Sequence, residues 1–217
     1  MALGNPKLFI GAIALMALGM SAAAERPAIN WTELVGPQSV VEDPFAELAP
    51  EQLDALRIIL RFETSQDASS KNTTFHEAQK LRSQLSREGL DVDWLFKQRE
   101  IIIQQRRAQS NAVNPDVIGK DVRIPGYVLP LEFEGQKVTS FLLVPYAGAC
   151  IHTPPPPANQ MVHVVYPDGI EVTGLFTPVW VEGKINAELS VRDVGLSDGE
   201  SRVEVGYKMS PENVSLY

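Results

Sequence analysis

Cysteine occurs once in this 217-residue chain, at Cys150, and a lone thiol excludes an internal disulfide, so packing must hold the framework. Positive charge is also short. The chain has 19 Lys and Arg against 27 Asp and Glu, a formal net charge of −8, whereas phosphate recognition needs a basic footprint. Nucleic acid is therefore not an expected partner. Gly-x-Ser-x-Gly, His-Glu-x-x-His, P-loop and Cys-x-x-Cys motifs are all missing, which removes the sequence signatures of several hydrolase, nucleotidase and redox classes. A membrane-spanning run is missing too, because the apolar stretch Leu8 to Met20 falls short of the ~20 residues a helical span needs.

That stretch has another use. With Lys7 before it and Ala22-Ala23-Ala24 after it, residues 1–24 read as a secretory signal peptide cut before Glu25. The expected location is a bacterial periplasm, and no cysteine stands at the cleavage site to carry a lipid anchor. In that compartment Cys150 has to be buried or occupied. The Asn-x-Ser/Thr triplets at Asn30, Asn72 and Asn213 are chance matches in a bacterial product.

Residues 25–115 read as a helical N-terminal region. After a loose arm, Leu53, Leu56, Ile59 and Leu60 share one face of a helix that Pro50 opens. A polar loop, residues 65–74, precedes a second helix over Phe75 to Glu88, with Phe75, Ala78, Leu81 and Leu85 inward and Gly89 as its C-terminal cap. Asp91 caps a third helix carrying Val92, Leu95, Phe96, Ile102 and Ile103, with Arg106-Arg107 near its C-terminus.

From Asp116 the texture becomes β, and residues 116–217 read as a second domain. The spacing predicts five strands: "DVRIPGYVLPLEF", interrupted by a bulge at Pro125-Gly126, then "KVTSFLLVPY", "MVHVVY", "GLFTPVWVEGKI" and "SRVEVGYKM". Asp168-Gly169 and Asp198-Gly199 supply turn signals. A small OB-like barrel and a half-open sandwich both fit this pattern.

The segments "IPGYVLPLE", "FLLVPYAGACIHTPPPPANQ" and "PVWVEGKI" carry a family likeness. The chain resembles the bacterial family known as domain of unknown function 3299, from about Asp116 to the C-terminus, with a looser match over the helical part. The resemblance implies an exported α+β protein with a five-stranded OB-like barrel, encoded beside ABC-type export or lipoprotein-handling transporters. It implies no catalytic residues. Gly148, Ala149, Cys150, Ile151, His152, Pro154, Pro155, Pro156, Pro157, Asn159 and Gln160 match its signature and form a candidate binding loop.

Within that loop, Cys150 and His152 share a face if the backbone is extended, and a thiolate with an imidazole suits zinc or copper. Two ligands do not complete a site. His163 is the first further candidate, with Met161 on its face favouring copper, while His76 belongs to the helical region. The structural alternative makes Cys150 a small buried hydrophobe and lets His152 bond a loop carbonyl. A Cys-His catalytic pair would need hydrogen-bond reach that strand neighbours achieve only by strong leaning.

Pro154 to Pro157 form a stiff polyproline II rod, either a rigid connector or a docking ridge for an aromatic groove. Glu132, Glu134 and Glu171 read as solvated, and Trp31, Trp94 and Trp180 as core or platform residues. Together these readings point to a periplasmic, non-enzymatic accessory or binding protein. Its expected partner is a protein, an ABC-type transporter component, and it reaches a membrane only through that partner. Zinc or copper binding through Cys150 and His152 is the alternative.

Overall fold

The structure, a computed structural model, describes residues 26–65, 73–149, 154–196 and 199–217. The signal-peptide segment 1–24, Cys150, His152 and Asp198 lie outside those residues.

Local chemistry sets the three helix boundaries. Helix α1 (Pro50–Thr64) begins on a proline, whose missing N–H would have had no partner in the first turn, and the Gln52 side chain accepts from the Ala49 N–H at 3.0 Å. Helix α2 (Thr73–Arg87) ends where Gly89 takes φ +88° and the Leu90 N–H returns to the Leu85 carbonyl at 3.0 Å. The Asp91 carboxylate accepts from Trp94 N–H at 3.0 Å and starts α3 (Val92–Asn111). Leu56, Ile59, Ala78, Leu85, Val92 and Leu95 make one buried cluster. Ile103 on α3 is 39% exposed and lines a cleft between α1 and α3.

The arm before α1 is more ordered than its composition suggests. The Ile29 N–H donates to the Arg123 carbonyl, and the Arg123 N–H to that of Pro27, so the arm lies parallel to the next element. A 3-10 turn at Trp31–Leu34, capped by Asn30, then drives Leu34 into the strand core with no exposure.

Six strands follow: β1 (Asp121–Glu134), β2 (Lys137–Val144), β3 (Val162–Glu171), β4 (Thr177–Leu196), β5 (Gly199–Met209) and β6 (Asn213–Leu216). They form one sheet ordered β1-β2-β3-β5-β4-β6, and β1 also pairs with β4, so five strands close a hydrogen-bonded ring. β3 and β5 run parallel and the other pairs antiparallel. Closure leaves few unpaired strand edges. Val122, Ile124, Val128, Phe141, Leu143 and Val164 face one core, joined by Ile29 and Leu34 from the arm. The described residues are thus mixed α+β, three α-helices and then a six-stranded sheet.

Several strand details differ from the sequence expectation. Short β6 was not anticipated, and β4 runs eleven residues past Ile185, to Leu196. The first strand is unbroken at Pro125-Gly126, where Pro125 faces Trp180 on β4; its carbonyl accepts instead from the Trp31 indole N–H, so its missing N–H lies off the β4 ladder. Register shifts fall around Glu132, and Gly126 is needed because a Cβ there would lie 2.7 Å from the Leu143 side chain. Asp168-Gly169 sits inside β3, where the register jumps from Ser140↔Val165 to Val138↔Ile170, with Gly169 at φ +66°. Beyond Ala187 the β4–β5 hairpin folds over the outside of the ring, and Val194, Val203 and Val205 cover Leu129, Leu142 and Val144. This is why "FLLV" in β2 is buried on both faces.

Candidate functional site: the proline loop and its supports

The loop between β2 and β3 leaves the ring at Val144 and turns at Gly148, φ +85°, before Ala149 enters the outer apolar cluster with no exposure. Cys150 and His152 come next and lie outside the described residues. Of the prolines, Pro154, Pro155 and Pro157 are exposed and Pro156 is buried. Pro157 has φ −60° and ψ 155°, close to polyproline II. One proline ring is thus anchored and three are exposed.

The anchor follows immediately. Asn159 is 3% exposed and donates through Nδ2 to the carbonyls of Gln109 and Ala112, both at 3.0 Å, satisfying acceptors at the C-terminal end of α3. The Ala112 carbonyl also accepts from Gly36 N–H at 3.0 Å, and a Cβ on Gly36 would lie 2.6 Å from that oxygen. Gln160 Nε2 donates to the Trp31 carbonyl at 2.7 Å. Beneath them Gly206 on β5 leaves room for the Ala158 carbonyl, 2.8 Å from where a Cβ would stand. Tyr207 closes the junction: its hydroxyl donates to Leu34 O at 2.6 Å and accepts from Asn114 N–H at 2.7 Å, while burial pushes the phenol pKa up. Arm, helix end, loop and ring therefore meet at the foot of the proline rod. A cleft of about 380 Å³ opens there, lined by Val35, Gln38, Arg106, Pro157 and Gln160 among others.

His163 is elsewhere, on the outer face of β3 beneath the folded-over hairpin. It is 6% exposed, with Nε2 3.0 Å from Ser140 Oγ and Nδ1 3.1 Å from the Arg192 guanidinium. A guanidinium only donates, so Nδ1 accepts and the proton sits on Nε2, facing the hydroxyl. Burial first, then the positive charges of Arg192 and Lys208, hold this imidazole below its ordinary pKa, with Glu188 and Glu132 opposing weakly. In this tautomer His163 cannot take the Ser140 proton. Arg192 also occupies the Nδ1 lone pair, where a metal ion would meet a cation. Met161 shares that face but is 1% exposed in the outer apolar cluster, and His76 lies on α2 with its ring edge-on to Phe75. Among the described residues, no three His, Cys, Asp or Glu side chains are gathered as a metal site would require.

The remaining candidates are dispersed. Glu132, Glu134 and Glu171 are exposed, Trp94 is 49% exposed on α3, and Trp180 is stacked between Arg123 and Tyr217. Among the described residues, no helix is long and apolar enough to cross a membrane. The site residues that sequence reasoning missed are Gly36, Trp31, Gly206 and Tyr207, whose roles depend on the packing of distant elements.

A helical unit followed by a ring of strands, locked together at a proline-rich loop, defines the class of protein. Comparison then places it: the model of the family described as protein of unknown function, DUF3299, matches residues 31–216, and the chain belongs to that family. It is similar to the crystal structure of a DUF3299 family protein from Pseudomonas aeruginosa PAO1, at 26% identity over 88% of this chain and 96% of that one, with a TM-score of 0.47. No curated protein matches it.

Proposed function

We propose that this chain is an exported, non-enzymatic accessory protein whose five-stranded ring is an OB-like barrel and whose proline rod docks a partner protein. The observation that carries the reading is the asymmetric burial of the rod: Pro156 is buried and Asn159 tied to α3, while Pro154, Pro155 and Pro157 face outward. A stiff segment loses little conformational entropy when a partner closes over it. Support for the barrel is the ring order β1-β2-β3-β5-β4, closed by β1–β4. An ABC-type transporter component as the partner follows the association that the family resemblance implies. The zinc or copper alternative keeps Cys150 and His152 but needs further ligands other than His163, whose two nitrogens are engaged.

Photo-crosslinking in cells tests the reading, with the crosslinker at position 155 and a control at Leu189. A transporter component should crosslink from position 155 alone, and alanine at Pro154 and Pro157 should weaken the adduct. Processed protein should begin at Glu25. Retention in the cytoplasm with Met1 intact, or crosslinking indifferent to the prolines, would overturn it. Stoichiometric zinc or copper that is lost in both Cys150→Ser and His152→Ala would favour the alternative.

A further inference from the structure

Away from the proline rod, α1 and α3 part to leave a cleft of about 340 Å³. Its walls are apolar: Leu53 and Leu60 from α1 face Phe96 and Ile103 from α3, over a floor that includes buried Leu56 and Ile102. Charge around it is unlike that of the acidic chain as a whole. The lining holds three arginines, Arg57, Arg99 and Arg106, and one carboxylate, Asp43. Arg99 and Arg106 are seven residues apart on α3, two turns along one face, and Arg57 stands on α1.

These arginines are not idle, but they are not saturated. Arg106 binds Asp43 at 2.7 Å, Arg99 binds Glu100 at 2.6 Å and Arg57 binds Asp54, each bond using one terminal nitrogen of a group with five donors. All three side chains remain substantially exposed, at 63%, 42% and 72%, and can turn toward a ligand. An apolar trough rimmed by arginines that keep spare donors beside their carboxylate partners suits a molecule with one apolar chain and one anionic end. The volume lies at the small end of the roughly 300–1,000 Å³ typical of ligand sites, which favours a single slim chain over a partner helix.

We propose that the α1–α3 cleft binds the carboxylate form of a single-chain fatty acid, its chain between Leu60 and Ile103 and its carboxylate held by Arg99 and Arg106. A planar guanidinium offers paired donors to a carboxylate, so the head group is specified as well as the chain. Arg106 also lines the cleft at the foot of the proline rod, whereas Arg99 lines the α1–α3 cleft alone.

Calorimetric titration of the full chain with decanoate below its micellar concentration tests this, with decanol and decyltrimethylammonium as the uncharged and cationic arms. Decanoate should bind saturably at one site and the other two should bind at least about tenfold more weakly. Arg99→Gln and Arg106→Gln should each lower decanoate affinity about tenfold without changing the thermal melt, and Arg99→Lys should recover part of the loss. Equal binding of decanoate and decanol, affinity indifferent to both glutamine variants, or self-association that excludes decanoate would each overturn the proposal.

Discussion

The strand ring and the helical unit use similar apolar residues and bury them to different depths. In the ring, Val138, Phe141, Leu142, Leu143 and Val144 have no exposure, because β2 has the core on one side and the folded-over hairpin on the other. In the helical unit, α3 leaves Trp94 at 49%, Ile101 at 40% and Ile103 at 39% exposure. A closed ring satisfies its own backbone and packs inward from every strand, whereas three helices can cover one another only along stripes. Full burial is thus densest along β2, while the apolar side chains of the helices leave an open α1–α3 cleft, and those left exposed in the strand half, Phe133, Leu189 and Val191 among them, line no such cleft.

The largest expected effect is in the ring. Phe141→Ala should cost about 3–5 kcal/mol in urea-induced unfolding, since removing a fully buried aromatic side chain from the closed interior leaves a cavity that its neighbours fill only in part. A cost below about 1 kcal/mol would mean that the ring interior repacks around the loss and that the two regions are less different than their burial indicates.

Next comes the joint between the regions. Asn159→Ala removes two hydrogen bonds and leaves the Gln109 carbonyl with the Ala112 N–H as its partner, so about 1–3 kcal/mol should be lost. Hydrogen exchange should show that loss in the last turn of α3 and in the loop, with the ring amides unchanged. Equal acceleration throughout would show that helices and ring unfold as one unit, which would break the contrast.

Where the fold was legible in the sequence, the signal was local. Pro50, Gly89 and Asp91 act within a few residues of themselves, and the helix boundaries follow from them. The outer half of β4 was not legible, because "NAELSVRD" belongs to a hairpin with much of one face in solvent, where Leu189 is 63% and Val191 52% exposed. Asp168-Gly169 carries turn chemistry that the chain uses for a bulge inside a strand. For the site, the signature drew attention to Asn159 and Gln160, which the structure ties to α3 and to the arm. Their partners lie 50 and 129 residues away at Gln109 and Trp31, and no spacing rule reaches that far. His163 was legible as sharing a face with Met161, but the Arg192 that fixes its tautomer comes from the unanticipated hairpin.

The smallest effect concerns how that hairpin holds the ring, and it depends on pH. The folded state keeps His163 neutral with its pKa lowered, chiefly by burial and then by Arg192 and Lys208, while the unfolded chain returns it to about 6.5. Below that value the unfolded state binds more protons than the folded state, so stability must rise with pH across the window. The contribution is complete above the unfolded pKa and is lost as pH falls through the folded one. Protonation would place a proton on Nδ1 against Arg192, and the same repulsion should loosen the hairpin over Leu142 and Val144. Urea midpoints measured from about pH 7.5 down to about pH 5.5, above most carboxylate titration, should therefore fall for the wild type. They should fall less for His163→Gln, which has no proton to gain. A wild-type slope of opposite sign, or one unchanged in His163→Gln, would show that His163 does not link the hairpin to the ring.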